Sequence, residues 1–259
     1  MKKKIAIVTG ASSGMGREFA KTIPFKMNNI DEIWLIARNK ELLKELQEEI
    51  IYETKVISLD LTREESFTKL SALYKKEDVE IVMLVNAAGY GIFDSVANTS
   101  FDDNIGMIDL NVTALTKMCL ISIPRMTYHS SIINFASVAA FQPVPYINIY
   151  AATKAYVLSF SRSLNRELLP KGIKVMAVCP YWTKTNFFKR AVTSNNVVKK
   201  YVAMYNPKDI ITRAFIDLKK GKDVSKYGFI ARAQIGLCKI LPHKLIMSIW
   251  MYQQKLNEK

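Results

Sequence analysis

An apolar, β-branched run that breaks into a glycine-rich turn and reopens as a helix constrains this chain more than any other feature. Ile5-Ala6-Ile7-Val8 leads into Thr9-Gly10-Ala11-Ser12-Ser13-Gly14-Met15-Gly16, and helical periodicity starts at Gly16. Glycine lets a backbone turn sharply and approach a ligand closely. A helix N-terminus presents unpaired N–H groups and the positive end of its dipole to a phosphate. Strand, turn and helix in that order read as a pyrophosphate cradle, with Gly10, Ser12, Ser13, Gly14, Met15 and Gly16 as candidate contacts. Arg17, in the first turn of the helix, is either a further phosphate ligand or a solvated side chain.

The alternation continues along the chain. Runs at 5–9, 33–37, 55–59, 81–86, 131–137 and 174–179 are short and apolar nearly throughout, as buried parallel strands are. Helical periodicity fills 16–28, 40–52, 64–76, 101–127 and 151–169, with Asn39 and Thr62 as expected N-caps. This order predicts one α/β domain over 1–259, a doubly wound parallel sheet with right-handed crossovers and flanking helices. Ligands of such sheets bind beyond the carboxyl ends of the strands. Residues 1–180 are expected to form the ligand-binding and catalytic core, and 181–220 a substrate loop ending in a helix over 207–220. Residues 221–259 should hold a last strand at 224–229 and a tail broken at Pro242.

Charge and rare residues exclude several function classes. The 37 Lys and Arg against 23 Asp and Glu leave a net +14, which favours anionic partners. The basic residues occur in short runs spread along the chain, with no helix-turn-helix, RNA-recognition or zinc-finger pattern, so nucleic-acid binding is not expected. Cys119, Cys179 and Cys238 stand far apart, with only His129 and His243 besides. No metal site is expected, and the thiols should be buried in a reducing compartment. The apolar run after the first lysines is too short for a signal peptide, and no stretch approaches the roughly 20 apolar residues that span a bilayer. A cytoplasmic protein is expected.

The chemistry centres on Tyr150-Ala151-Ala152-Thr153-Lys154. Positions i and i+4 share a helix face, which sets the lysine ammonium near the phenol. A free phenol has a pKa of about 10, and a neighbouring cation lowers it. Tyr150 could then give a proton to a carbonyl oxygen or take one from an alcohol. Ser137, at the end of the expected fifth strand, could hold that same oxygen. The second strand closes on Ile36-Ala37-Arg38-Asn39. An acidic residue there would bind a ribose 2′-hydroxyl, whereas the planar cation of Arg38 suits a 2′-phosphate. NADP(H) is therefore expected over NAD.

TGxxxGxG at 9–16, Asn86-Ala87-Ala88-Gly89, Asn111, Ser137, and Tyr150 with Lys154 stand in the order and spacing of the short-chain dehydrogenase/reductase family, which residues 4–185 resemble. The resemblance implies a Rossmann-like domain that interconverts a ketone and a secondary alcohol, with Asn111, Ser137, Tyr150 and Lys154 catalytic. It implies Asp60 at the adenine with Leu61 beside it, and residues 86–89 packed against the cofactor. It further implies that Asn111 holds a water on the proton path, and that Thr185 meets the nicotinamide from a segment including Pro180 and Thr183. Homodimers or homotetramers are implied as well. Asp60 read alone fits a helix-leading residue equally.

One departure bears on substrate. Tyr181 follows Pro180 where the family has glycine, and this resembles the branch of long-chain 3-oxoacyl-CoA reductases and 17β-hydroxysteroid dehydrogenases. A large apolar ketone is expected, such as a steroid, bile acid or 3-oxoacyl thioester. Its expected pocket is lined by Tyr90, Phe93, Val144, Tyr146, Tyr181, Trp182, Phe187 and Phe188. The tail from Ile230 could cap the pocket, pack in a subunit interface or dock on an anionic membrane, and packing is the expected use. A non-catalytic NADP(H)-binding redox sensor is the alternative function, since fold does not dictate activity.

Overall fold

The computed structural model describes residues 2–256; Met1 and residues 257–259, the end of the expected tail, lie outside the described residues. The expected strands are β1 Lys3–Thr9, β2 Glu32–Ala37, β3 Thr54–Ser58, β4 Val79–Asn86, β5 Ser131–Phe135 and β6 Lys174–Val178. A seventh, β7, is reduced to Val224–Ser225. All pair in parallel in the order β3-β2-β1-β4-β5-β6-β7. The order reverses at β1, where Ile7 stands between Trp34 of β2 and Leu84 of β4. That reversal opens a crevice at the carboxyl edge.

The helices are α1 Gly14–Thr22, α2 Lys40–Glu49, α3 Glu64–Lys76, α4 Phe101–Ile108, α5 Leu115–Ser122, α6 Asn148–Leu168, α7 Phe187–Ala191, α8 Pro207–Lys219, α9 Phe229–Ile240 and α10 His243–Gln253. Side chains alternate across a strand. Ile5, Ile7, Trp34, Ile36 and Leu84 therefore pack one sheet face against α3, α5 and α6. Ala6, Val8, Ile33, Leu35 and Val85 pack the other against α1, α2 and α8. Burial on both faces is why the strands read as unbroken apolar runs. Inside, Asn86 Nδ2 donates to Asn134 Oδ1 at 2.9 Å and Asn134 Nδ2 to Ser161 Oγ at 2.9 Å, a buried chain that ties β4, β5 and α6 together.

Several boundaries differ from expectation. Pro24 turns the chain into a 3-10 segment at Ile23–Phe25, so α1 stops short of residue 28. Asn39 caps α2 as expected, accepting from Leu42 N at 2.8 Å. Thr62 does not cap α3; its N and hydroxyl are both bonded to Asp60 Oδ1. β5 ends two residues before Ser137, which opens a 3-10 segment at Val138–Phe141 and accepts from Ala139 N. The segment expected at 224–229 as a strand turns at Gly228, with φ +94, directly into α9.

The crossover expected as one helix over 101–127 is α4, a π-helical turn at Asp109–Ala114, α5 and a 3-10 end at Ile123–Arg125. By length and composition Phe101–Arg125 is apolar enough to cross a membrane, contrary to the expectation that no stretch would be. Some of its apolar residues, Phe101, Ile105, Ile108 and Leu120, are exposed, and others are core. Leu115, Met118 and Cys119 are core, and the segment packs on β4, α3 and α6.

Candidate active site

The turn after β1 takes the conformation its glycines permit. Gly10 and Gly14 have φ of +66 and +55, a region that L side chains rarely enter. A Cβ on Gly10 would lie 2.7 Å from Ala88 N, and one on Gly16 would strike the Gly10 carbonyl. Thr9 Oγ1 accepts from Ala87 N at 3.1 Å and Ala88 N at 3.2 Å, which locks the turn to the end of β4. Ser13 occupies the N-cap of α1 with no side-chain cap bond. A cradle that side chains would fill, set at a helix N-terminus, fits a dinucleotide pyrophosphate. Ser12 and Met15 belong to the same turn, and Met15 also faces the main cavity.

The neighbouring strand ends complete the groove. Arg38 is exposed after β2, and its charge, with that of Arg63, acts on Asp60. Burial pushes the Asp60 carboxyl up, but bonds from Thr62 and those two cations hold it below the usual carboxylate range. Two expected contacts turn inward. The Leu61 side chain is buried in the core beside Trp34, leaving its backbone for a ligand. The Asn86 side chain faces Asn134, so Ala87 and Gly89 are the members of that segment that reach the cavity. Arg17 is not free for phosphate. It donates to Glu49 Oε1 at 2.5 Å and to the Leu42 carbonyl, because its place on α1 faces α2.

Tyr150 and Lys154 rise from the first turns of α6 to the floor of the cavity, facing Ser137. Lys154 is buried; its Nζ donates to the Phe135 carbonyl at 2.7 Å and lies 5.6 Å from the Tyr150 ring centre. Burial pushes the Lys154 ammonium down to about 8. It pushes the Tyr150 phenol up to about 12, with the Ser137 hydroxyl pulling the other way. The shift runs opposite to the expected lowering of the phenol: its largest cause is desolvation in this apolar floor.

Asn111 sits in the π-helical turn, fully buried. Its amide accepts from Tyr90 N at 3.0 Å and donates to the Tyr90 carbonyl at 2.8 Å and Thr153 Oγ1 at 3.1 Å. A Cβ on Gly89 would lie 2.7 Å from Asn111 Oδ1 and 3.5 Å from Lys154 Nζ, so both polar groups converge on that glycine.

Above this floor lies a cavity of about 460 Å³. Phe93 forms its aromatic centre, with ring distances of 6.3 Å to Tyr150, 5.8 Å to Trp182 and 6.0 Å to Phe187. Val144, Tyr181 and Phe188 line it as expected, as do Pro180, Thr183 and Thr185. Thr185 also borders a second cleft and lies against Gly14 of the cradle, where a Cβ on that glycine would meet its side chain at 3.5 Å. Two expected lining residues do not. Tyr146 has a left-handed backbone, φ +64, that sends Val144 and Ile147 inward in its place. Tyr90 packs under the Arg190 guanidinium, 3.4 Å above its ring.

Other contributors were not expected. Gly91 abuts the Tyr150 ring, a role its position two residues past Gly89 only hints at. Gln142, Gln234 and Cys238 form a polar patch on the far wall, where Gln142 Oε1 accepts from Cys238 Sγ at 2.6 Å. Gln254, buried, accepts from Lys199 N and Lys200 N and pins the loop over the cavity to α10. Trp250 Nε1 donates to the Pro145 carbonyl at 3.0 Å from the same helix. No local pattern marks these residues, which meet only through tertiary packing.

Residues 4–196 match the family model described as short chain dehydrogenase. An uncharacterized oxidoreductase of Staphylococcus epidermidis is 31% identical over 182 residues, covering 70% of this chain and 78% of that one. A very-long-chain 3-oxoacyl-CoA reductase of Anas platyrhynchos is 36% identical over 197 residues, 71% of this chain and 61% of the relative, so the chain spans about three fifths of that protein. Among solved structures, a short-chain dehydrogenase from Sphingobium yanoikuyae in complex with NADPH has a TM-score of 0.74 at 28% identity, covering 93% of this chain and 96% of that one.

Proposed function

The chain belongs to the short-chain dehydrogenase family, and from that premise we propose that it is an NADP(H)-dependent oxidoreductase interconverting a ketone and a secondary alcohol on a large apolar substrate. The observation that carries the reading is Tyr150, with Ser137 and Lys154, at the floor of an aromatic cavity that joins a glycine cradle. A bound nicotinamide supplies or accepts the hydride. The chain's own residues do the rest. The turn at 10–16 holds the pyrophosphate, Arg38 meets the 2′-phosphate, and Thr185, where cradle and cavity join, orients the ring.

In the direction of reduction, Ser137 donates to the substrate oxygen and Tyr150 gives that oxygen its proton. The phenol pKa of about 12 keeps Tyr150 protonated and ready as the acid. Lys154, charged below about pH 8, stabilises the phenolate left behind. Asn111 positions this pair: its bonds to Tyr90 and Thr153 hold the crossover against α6. The aromatic walls exclude water and select apolar ketones, with steroids, bile acids and long 3-oxoacyl thioesters as the classes that fit.

The test is consumption of NADPH and of NADH, followed by nicotinamide absorbance, against those ketones and a set of small polar carbonyls. NADPH-dependent turnover of the apolar ketones is expected. Tyr150→Phe should lower it by a factor of about 10² or more while NADPH still binds. Arg38→Asp should shift preference towards NADH. Turnover confined to small polar carbonyls would refute the substrate class. NADPH binding with no turnover across the panel would favour a redox sensor.

A further inference from the structure

The positive charge of this chain is concentrated towards its carboxyl end, the part that also supplies much of the cavity wall. Residues 1–180 hold 21 Lys and Arg against 19 Asp and Glu, whereas residues 181–256 hold 15 against three Asp, a net +12. From 224 to 256 there is no acidic residue at all, while Lys226, Arg232, Lys239, Lys244 and Lys255 fall in that stretch. These are the residues of β7, α9 and α10 and their connections.

The outer faces of α9 and α10 are apolar where a solvated helix would be polar. Phe229, Ala233, Leu237 and Ile240 recur at spacings of three and four and are exposed together, Phe229 at 85% and Ile240 at 82%. On α10, Leu245, Ile249 and Tyr252 repeat the pattern, with Tyr252 79% exposed. The inner faces are apolar too: Ala231 and Ile235 of α9 and Ile246 of α10 are buried. Arg232 and Lys239 flank the outer face of α9, and Lys244 that of α10. Phe229, Leu237 and Ile249 also line the cavity, so the exposed patch runs on into its mouth. A contiguous patch of this kind marks an interaction face.

We infer that α9 and α10 dock on an anionic lipid surface, with their exposed apolar residues among the acyl chains and their cations at the headgroups. An apolar ketone would then pass from bilayer to cavity without crossing water, a consequence that rests on the substrate class proposed above. Buried apolar area together with attraction to anionic headgroups is what holds interfacial helices. A second copy is a poor occupant. A two-fold contact through this face would set its unneutralised cations against an identical set.

Flotation of the full chain with vesicles tests this directly. Vesicles of equal parts phosphatidylglycerol and phosphatidylcholine should carry the protein, and phosphatidylcholine alone should not. Raising salt should release it. Lys239→Glu with Lys244→Glu, and separately Ile240→Ser with Tyr252→Ser, should each weaken binding by at least about tenfold. None of these four side chains lines the cavity, so NADPH oxidation with a soluble ketone should be unchanged in both variants. No flotation on the anionic vesicles, or flotation indifferent to both variants, would overturn the inference. So would sedimentation showing that Ile240→Ser with Tyr252→Ser breaks a dimer of a protein that ignores lipid. Wild-type protein that floats yet neither binds nor consumes NADPH would refute the oxidoreductase reading and leave the docking face intact.

Discussion

The Tyr150–Lys154 pair shows how far burial can reset two groups that a helix places side by side. Desolvation lowers Lys154 to about 8 and holds the phenol protonated, so the lysine is the member of the pair that titrates near neutrality. The sign follows: Lys154 is charged below about pH 8 and neutral above it. If its charge stabilises the phenolate, reductive kcat/KM should fall as pH rises through about 8, and Lys154→Met should erase that inflection with a loss of about 10² in kcat. A pH–rate profile flat across that region would contradict it. Gly91 supports the same phenol from behind. A Cβ there would stand 2.7 Å from Tyr150 Cδ2 and 3.0 Å from Cγ. Gly91→Ala should displace the ring and lower kcat by about tenfold or more, with KM for NADPH unchanged. Steady-state kinetics separate the two parameters. Tyr150 and Lys154 were legible because a four-residue spacing is local. Gly91 was not, because what it touches is 59 positions away.

Elements were legible in existence and order, less so in their ends. The six long strands stand where apolar runs placed them, since a sheet covered by helices on both faces makes most positions of its strands apolar. Helix starts depended on side-chain bonds that compete. Asn39 was free to cap α2, whereas Thr62 was taken by Asp60 two residues earlier. Asn39→Ala should therefore cost about 1 kcal/mol in a urea titration. The long crossover carried one helical pattern, and its π-helical turn was invisible to it. Such a turn inserts one residue's worth of rotation, often at functional sites. Here it brings Asn111 against Tyr90 and Thr153.

Across the whole molecule, one buried carboxylate fastens the last strand to the sheet's flank. Asp217 of α8 pairs with Arg213 at 2.9 Å and Lys222 at 2.8 Å and accepts from Ser225 of β7 at 2.9 Å. Burial pushes its carboxyl up, but these partners prevail and hold it below the usual range. A depressed folded pKa means the stabilisation is present above the ordinary carboxylate range and is lost as pH falls through the folded value. The Tm of the wild-type protein should drop on acidification below about pH 4, more steeply than that of Asp217→Asn. That variant should already be destabilised at neutral pH, by about 3 kcal/mol. Equal acid slopes for the two proteins would refute the assignment. The sequence by itself determined the alternating α/β order, the glycine cradle, the cation after β2 and the tyrosine–lysine pair, because each depends on neighbours within a few residues. Only the tertiary structure decided which face each side chain shows. It turned Leu61, Asn86 and Arg17 away from the ligand groove and Tyr146 out of the cavity. It also drew the tail's apolar residues to the cavity mouth, because that choice is made by contacts between segments distant in the chain.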